Sequence, residues 1–402
     1  MKTIIKTQLI PSAIIFCFAL SMATVNAQGT WTQKANFGGT ARHDAVGFSI
    51  GTKGYIGTGE DMDSLRSDFW EYDPSMDMWT QKADFGGGKR TSAVGFSIGN
   101  KGYIGTGMDM MMNNKKDFWE YDPSMNMWTQ KANFGSTARS MAVGFSIGTK
   151  GYIGTGMDST GNKRDFWEYD PSMDMWSQKP DFGGTARMCA VGFSIGANGY
   201  IGTGEDNDSL RSDFWQYNLS MNMWMQKANY CCVARGDAKG FSIGNFGYIG
   251  TGGCMDSLCS DFCEYDPSTN MWMKKGYFCG GKRANAVGFS IGNFGYIGAG
   301  SDTIAPYQDF WKYDPAGVGV NELSNPLNIF VFPNPSAGKF ILDSEISKGE
   351  VFIYTISGEK ILSQRIKNEK SEIDLSKQPD GIYFLNIKTE KESFTQKLII
   401  NK

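Results

Sequence analysis

The stretch GFSIGTKGYIGTG, Gly47 to Gly59, returns five more times with little change. Its tyrosine falls at Tyr55, Tyr103, Tyr152, Tyr200, Tyr248 and Tyr296, in steps of 48, 49, 48, 48 and 48 residues. A fixed period of this length limits the chain to folds built by repeating one supersecondary unit. Each unit opens with GFSIG and GYIGTG around a tight turn such as Thr52-Lys53. It continues through DFWEYDP (Asp68 to Pro74) and MWTQK (Met78 to Lys82). These are four short strands per period, the content of one propeller blade. The glycine-rich hairpin is therefore expected to be the inner half of a blade, copied six times.

Three features recur in every copy or nearly so: glycines after Tyr55, the Tyr72 to Trp79 spacing, and Arg42 ahead of the first strand. With them, residues 29 to 315 resemble the kelch family, which implies an all-β, six-bladed kelch-type β-propeller. The family's glycine doublet stands here as Thr58-Gly59, and as Ala299-Gly300 in the last copy, read as a site of close backbone approach. The sixth DFW strand, Asp309 to Pro315, has no tryptophan strand after it. The missing partner is expected to be Trp31, in TWTQKANF, closing the ring as the outermost strand of the last blade.

Composition excludes several classes. A net charge of −3, without a run of Lys or Arg, gives nucleic acid no footing. At the N-terminus, Lys2 and Lys6 precede the apolar run IIFCFALSMA, and small residues end at Ala27; residues 1–27 read as a secretory signal peptide. No later segment is apolar enough to span a membrane, so no membrane span is expected in the mature chain.

Among the repeated positions, Trp70, Tyr72, Trp79, Met76 and Met78 are expected to pack between blades. The arginines Arg42, Arg90, Arg139, Arg187, Arg235 and Arg283 share one phase. The kelch resemblance places them at the entrance to the innermost strand, where guanidinium groups around a channel mouth would hold carboxylates or phosphates. The competing reading pairs each with an acidic neighbour such as the Asp68 series. The two residues after each arginine vary, His43-Asp44 and Gly236-Asp237 among them, as do the loops EDMDSLRS, MDMMMNNKK and SDTIAPYQ. Variation on a copied frame points to ligand or solvent. His43, Asp44 and Asp237 thus join the arginines as ligand-binding candidates.

Catalysis has little to work with. His43 is the only histidine, so neither a two-histidine copper centre of the galactose oxidase kind nor an independent serine triad can be assembled. Carboxylate chemistry by Asp44 and Asp237, as a kelch-type sialic-acid mutarotase would require, is the remaining enzymatic reading. The acidic loops match no EF-hand spacing, and no cofactor or metal is expected. Six cysteines, Cys231, Cys232, Cys254, Cys259, Cys263 and Cys279, fall in one blade and its borders, where other copies have Gly, Arg, Asp and Trp. In an exported chain they read first as disulfides, with 15 pairings open. Zinc is second, lacking any Cys-x-x-Cys pair. Cys263 stands where five blades have tryptophan and is expected to leave its blade underfilled.

After Pro315 the repeat ends. Residues 316–325 read as a linker, and residues 326–402 alternate apolar and polar as a small antiparallel β-sandwich. FPNPSAGKF, YTISGEKI, LSKQPDGIYFLNI and the terminal KLIINK resemble the type A sorting domain of the type IX (Por) secretion system. By that resemblance the sorting signal would include Pro333, Asn334, Pro335, Gly338, Gly358, Gly381, Tyr383 and Lys397. The outer-membrane translocon would be the tail's partner, and the source a Gram-negative bacterium that places the protein outside the cell or on its surface via the periplasm. The expected function is a non-catalytic binding or adhesion propeller that recognises a glycan, an acidic ligand or a surface protein. The alternative is the carbohydrate-active enzyme.

Overall fold

The computed structural model describes residues 29–317, 330–334, 336–343, 349–366, 370–389 and 393–402. The expected signal peptide and most of the linker lie outside these residues. Among the described residues all regular structure is strand, and no helix is long and apolar enough to cross a membrane.

Six four-stranded antiparallel sheets form the larger part. In the first, Val46–Ile50 is innermost, followed outward by Lys53–Gly57, Phe69–Asp73 and Met78–Lys82. Inner strands alternate, with Val46, Phe48 and Ile50 buried and Gly47 and Ser49 turned to the other face. That face receives the neighbour. A Cβ on Gly47 would lie 2.0 Å from Val287 Cγ1, and one on Gly54 2.6 Å from the Phe289 ring of the last blade. The same contacts link every successive pair, Gly95 to Val46 and Gly288 to Lys239 included, so the sheets close into a ring. The copied glycines exist because the adjoining blade's valine and phenylalanine occupy the space a side chain would need. Farther out, Phe69 meets Tyr121 at 4.9 Å and Trp128 at 5.0 Å edge-on, and Phe310 meets Tyr72 and Trp79 of the first blade in the same way.

The ring closes as the tryptophan count requires. Thr30–Lys34 pairs with Phe310–Asp314, Trp31 opposite Tyr313, and completes the sixth blade. The Trp31 ring packs at 4.8 to 5.1 Å from Phe278, Tyr313 and Phe262. Its indole nitrogen is buried without an acceptor, whereas Trp79 donates to Ala35 O at 3.1 Å. The difference follows from the preceding blade, whose outermost strand, Met271–Tyr277, runs two residues longer past a register shift.

Two expectations need correction. Met76 and Met78 are 63% and 55% exposed; they sit at the outermost turn, where no further strand covers them. The Thr58 position is set by backbone conformation as well as by space. Its φ is 60°, and Thr106, Thr155, Thr203, Thr251 and Ala299 match it within a few degrees, a left-handed geometry that β-branched residues adopt only under strain. In all five threonines the hydroxyl is buried without a partner.

The tail forms two sheets. Phe330–Phe332, Lys339–Asp343 and Lys370–Asp374 make one; Lys360–Ile366, Gly349–Thr355, Gly381–Lys388 and Ser393–Ile400 make the other. Phe340, Leu342 and Ile373 of the first pack with Val351, Ile353, Leu385, Ile387 and Leu398 of the second in one core, the sandwich expected from the alternation.

Candidate functional site

The segment before each inner strand and the loop after each second strand meet on one face of the ring, joined by bridges such as His43 to Glu60 and Thr91 to Met108. Both varied sequence segments therefore share the loop face.

The six arginines are not open at the channel mouth. All are 0–1% exposed. Arg42 grips Asp68 with both terminal nitrogens, at 2.6 and 2.8 Å, donates to Thr58 O at 2.9 Å and Thr40 O at 3.0 Å, and lies 4.9 Å from the centre of the Phe37 ring. Arg90, Arg139, Arg187 and Arg283 hold Asp117, Asp165, Asp213 and Asp309 in the same two-pronged way; Arg235 holds Asp261 through one nitrogen at 2.7 Å. Burial would raise the Asp68, Asp165, Asp213 and Asp261 carboxyls, but the guanidinium bonds outweigh it and hold all four below the usual range. The arginine backbones also tie blades together, as Gly59 N donates to Arg90 O at 2.7 Å and Gly300 N to Arg42 O at 2.8 Å. With every guanidinium committed inside a blade, the anion-trap geometry is absent, and the pairing with the Asp68 series takes its place.

What surrounds the mouth is backbone. Asp44, Ser92, Met141, Cys189, Asp237 and Asn285, each two residues past its arginine, all have φ between 52° and 56°. The amide of each donates to the carbonyl of the one before: Ser92 to Asp44, Met141 to Ser92, Cys189 to Met141, Asp237 to Cys189, Asn285 to Asp237 and Asp44 to Asn285, at 3.0 to 3.3 Å. These six bonds form a closed hoop. Sequence reasoning missed it, because backbone pairing leaves no mark on side-chain type.

Side chains under the hoop form a short polar chain. His43 Nδ1 lies 2.9 Å from Asp44 Oδ2, which is the main reason its pKa is raised. With its amide nitrogen facing them, Asn285 donates to Asp44 Oδ1 at 3.2 Å and Asp237 Oδ1 at 2.8 Å. Burial first, then the Asp44 charge, pushes the Asp237 carboxyl up, against the opposing pull of the neighbouring Cys189 thiol and Lys239. Lys239, which replaces the channel valine of the other blades, faces the same space. The cavity bounded by these groups measures about 60 Å³, and the channel below it about 130 Å³. Ligand sites usually run from about 300 to 1,000 Å³, so the mouth admits water and excludes a sugar ring.

A larger space lies on the same face between the second and third blades. This groove, of about 1220 Å³, is lined by Met108, Met112, Met141, Met157, Asn114 and Lys116 among others, with no aromatic ring. Met110, Met111 and Met112 rise beside it at 61%, 83% and 77% exposure. The Asn114 side-chain oxygen is buried there without a donor. Lys115 pairs with Asp109 at 2.5 Å, whereas Lys116, at the exposed edge, has no carboxylate within ion-pair distance among the described residues.

The cysteines pair as Cys231 with Cys263 and Cys254 with Cys259, leaving Cys232 and Cys279 outside both bridges. Cys263 is 0% exposed, and its partner Cys231 stands where the first blade has Gly38. In the tail, Asn334 joins its segment to the last strand, donating to Lys397 O at 2.7 Å and accepting from Ile399 N at 2.8 Å. Gly338 and Gly358 have φ of 109° and 86°, and Tyr383 donates to Pro379 O at 2.8 Å. Pro333 and Lys397 are exposed, Gly381 opens the strand that carries Tyr383, and Pro335 lies outside the described residues.

Residues 330–401 match the model of the secretion system C-terminal sorting domain. The tail is thus a type IX sorting domain, which implies interaction with that machinery and places the protein at the cell surface or beyond it. The chain is also similar to a solved structure titled "Structure of YjhT", at 17% identity and a TM-score of 0.61, over 69% of this chain and 95% of that one. At that identity the likeness carries the propeller fold alone. No curated protein matches this chain.

Proposed function

We propose that this chain is an exported, non-catalytic propeller that binds a protein partner through the groove between its second and third blades. In this reading residues 1–27 are a signal peptide, residues 29–315 the binding module, and residues 326–402 the sorting domain that delivers it. The carrying observation is the groove with its exposed methionines. Unbranched thioether side chains adapt to a partner's surface, and methionine-rich surfaces suit protein binding. The absence of any aromatic ring in the lining leaves no stacking platform for sugars. The enzymatic reading loses support, because Asp44 and Asp237 face a cavity too small for a sugar and Arg42 is committed to Asp68.

The test is a binding screen of the mature chain on immobilised extracellular-matrix proteins and glycans. Saturable binding to a protein, weakened when Met110, Met111 and Met112 are replaced by serine, is the expected result. Binding to glycans only, indifferent to those methionines, would overturn the reading.

A further inference from the structure

The fifth blade gathers three sulfurs. Cys231 and Cys263 are bonded, and the Cys232 sulfur lies 3.4 Å from that of Cys263 and 3.7 Å from that of Cys231. Their exposure is graded: Cys263 is fully buried, Cys232 half-buried and Cys231 open to solvent. A single bond therefore has two ways to reach the buried sulfur, and they differ in which neighbour is left as a thiol.

The position of Cys232 is fixed by the blade. In the first blade the equivalent residue is Gly39, where a Cβ would meet Arg42 Nη2 at 2.7 Å and Asp68 Oδ2 at 2.9 Å. There the Trp70 indole donates to Asp68 Oδ2 at 2.7 Å. The fifth blade has no such tryptophan, and the Cys232 thiol takes the place beside the Asp261 carboxylate. In that place the Cys232 sulfur also lies against Cys263.

We propose that Cys231, Cys232 and Cys263 form a thiol–disulfide exchange site, in which Cys232 displaces Cys231 from Cys263 and delivers the Cys231 thiol to solvent as a site for covalent modification. The Cys232 thiol gives its proton to water, and its sulfur lone pair forms the bond to Cys263 Sγ. The Cys263–Cys231 bond breaks with its electron pair going to Cys231 Sγ, which takes up a proton. Nothing is oxidised or reduced overall. The freed Cys231 thiol loses its proton and attacks an exogenous disulfide, forming a mixed disulfide and releasing a thiolate that takes up a proton.

Four groups set the pace. Burial, then the Asp261 carboxylate, pushes the Cys232 thiol up to about 11, while Arg235 and Lys274 pull it down. Tyr230 is the other titratable neighbour. Thiolate is thus the minor form at neutral pH, and exchange should quicken about tenfold per pH unit below that value.

The experiment is alkylation of the unreduced mature chain by iodoacetamide at about pH 7 and about pH 9, read by peptide mass spectrometry, for the wild type and Cys232→Ser. The serine hydroxyl keeps a small polar group beside Asp261 but cannot attack. Expected in the wild type are alkylated Cys231 and a Cys232–Cys263 bridge, both increasing with pH. Cys232→Ser should lower Cys231 labelling by at least about tenfold. Labelling of Cys232 without Cys231 at both pH values, or equal labelling of Cys231 in the two proteins, would overturn the proposal.

Discussion

The first and fifth blades hold the same shape with different bonds. In the first, Asp61 accepts from Arg66 across the loop at 2.5 Å, and in the fifth those two positions are Cys254 and Cys259, joined as a disulfide. In the first, Gly38 lies so close under Trp70 that a Cβ would come within 2.5 Å of the indole; in the fifth those two positions are Cys231 and Cys263, again a disulfide. Both changes replace residues that touch. The blade conserves contacts, and the chemistry of each contact is exchangeable when both partners change together.

One contact is shared by all six blades, and removing it should have the largest effect. Arg139→Met strands the half-buried Asp165 without its cation, and should cost about 3–5 kcal/mol in thermal or urea unfolding. Arg235→Met should cost a similar amount in the fifth blade. An unchanged melting temperature would mean that the arginines are not struts.

The glycine and tryptophan positions sharpen the comparison next. Cys263→Trp alone sets an indole against Cys231 and also removes a disulfide, for a loss of about 3–5 kcal/mol. Adding Cys231→Gly restores the first-blade pairing and should recover about 1–3 kcal/mol of that loss. A double variant no more stable than the single one would break the argument from paired contacts.

Solvent conditions should separate the blades without mutation. Thr40, Arg66 and neighbouring amides bond the Asp61 carboxylate and, against its burial, hold its pKa far below the usual range; Asp206 is held likewise. A depressed carboxyl contributes stability that is complete above its unfolded value, about 4, and is lost as pH falls toward the folded one. Acid should therefore loosen the 60–67 and 205–212 loops before the 253–260 loop, whereas reductant should loosen only the last. Hydrogen exchange at about pH 3, with and without reductant, reads both. Uniform loss of protection in all three loops would contradict the contrast.

The smallest effect concerns a left-handed position where five copies carry a β-branched threonine and one an alanine. Thr155→Ala copies Ala299 of the sixth blade and relieves both a β-branched left-handed residue and an orphan hydroxyl. It should be neutral or stabilising by up to about 1 kcal/mol in thermal unfolding. A clear loss would show that the threonine has a role its contacts do not reveal.

The repeat period and the surplus of one tryptophan made the ring and its closure by Trp31 legible, because both follow from counting strands. Depth was harder to read. Arg42 and its copies share a phase whether they face a channel or the blade interior. The usable signal was the aspartate 26 residues later, at Asp68, Asp165, Asp213, Asp261 and Asp309, and 27 residues later at Asp117 where the repeat has one extra residue. Met76 and Met78 misled because hydrophobicity does not say that a strand is the last one out. The cysteine pairing was readable in principle, since each bridge replaces two residues that meet in other copies, but those contacts are visible only in three dimensions. The hoop of backbone bonds at the mouth had no sequence signal.

The copied frame holds the blades together, and the groove between the second and third blades is the proposed recognition surface. It is tested most directly by replacing the loop at residues 108–116 with the first-blade sequence of residues 60–67, and measuring binding to the matrix proteins that the wild type retains. An unchanged melting temperature and loss of binding are expected. Retained binding in a folded loop-exchanged protein would contradict this assignment.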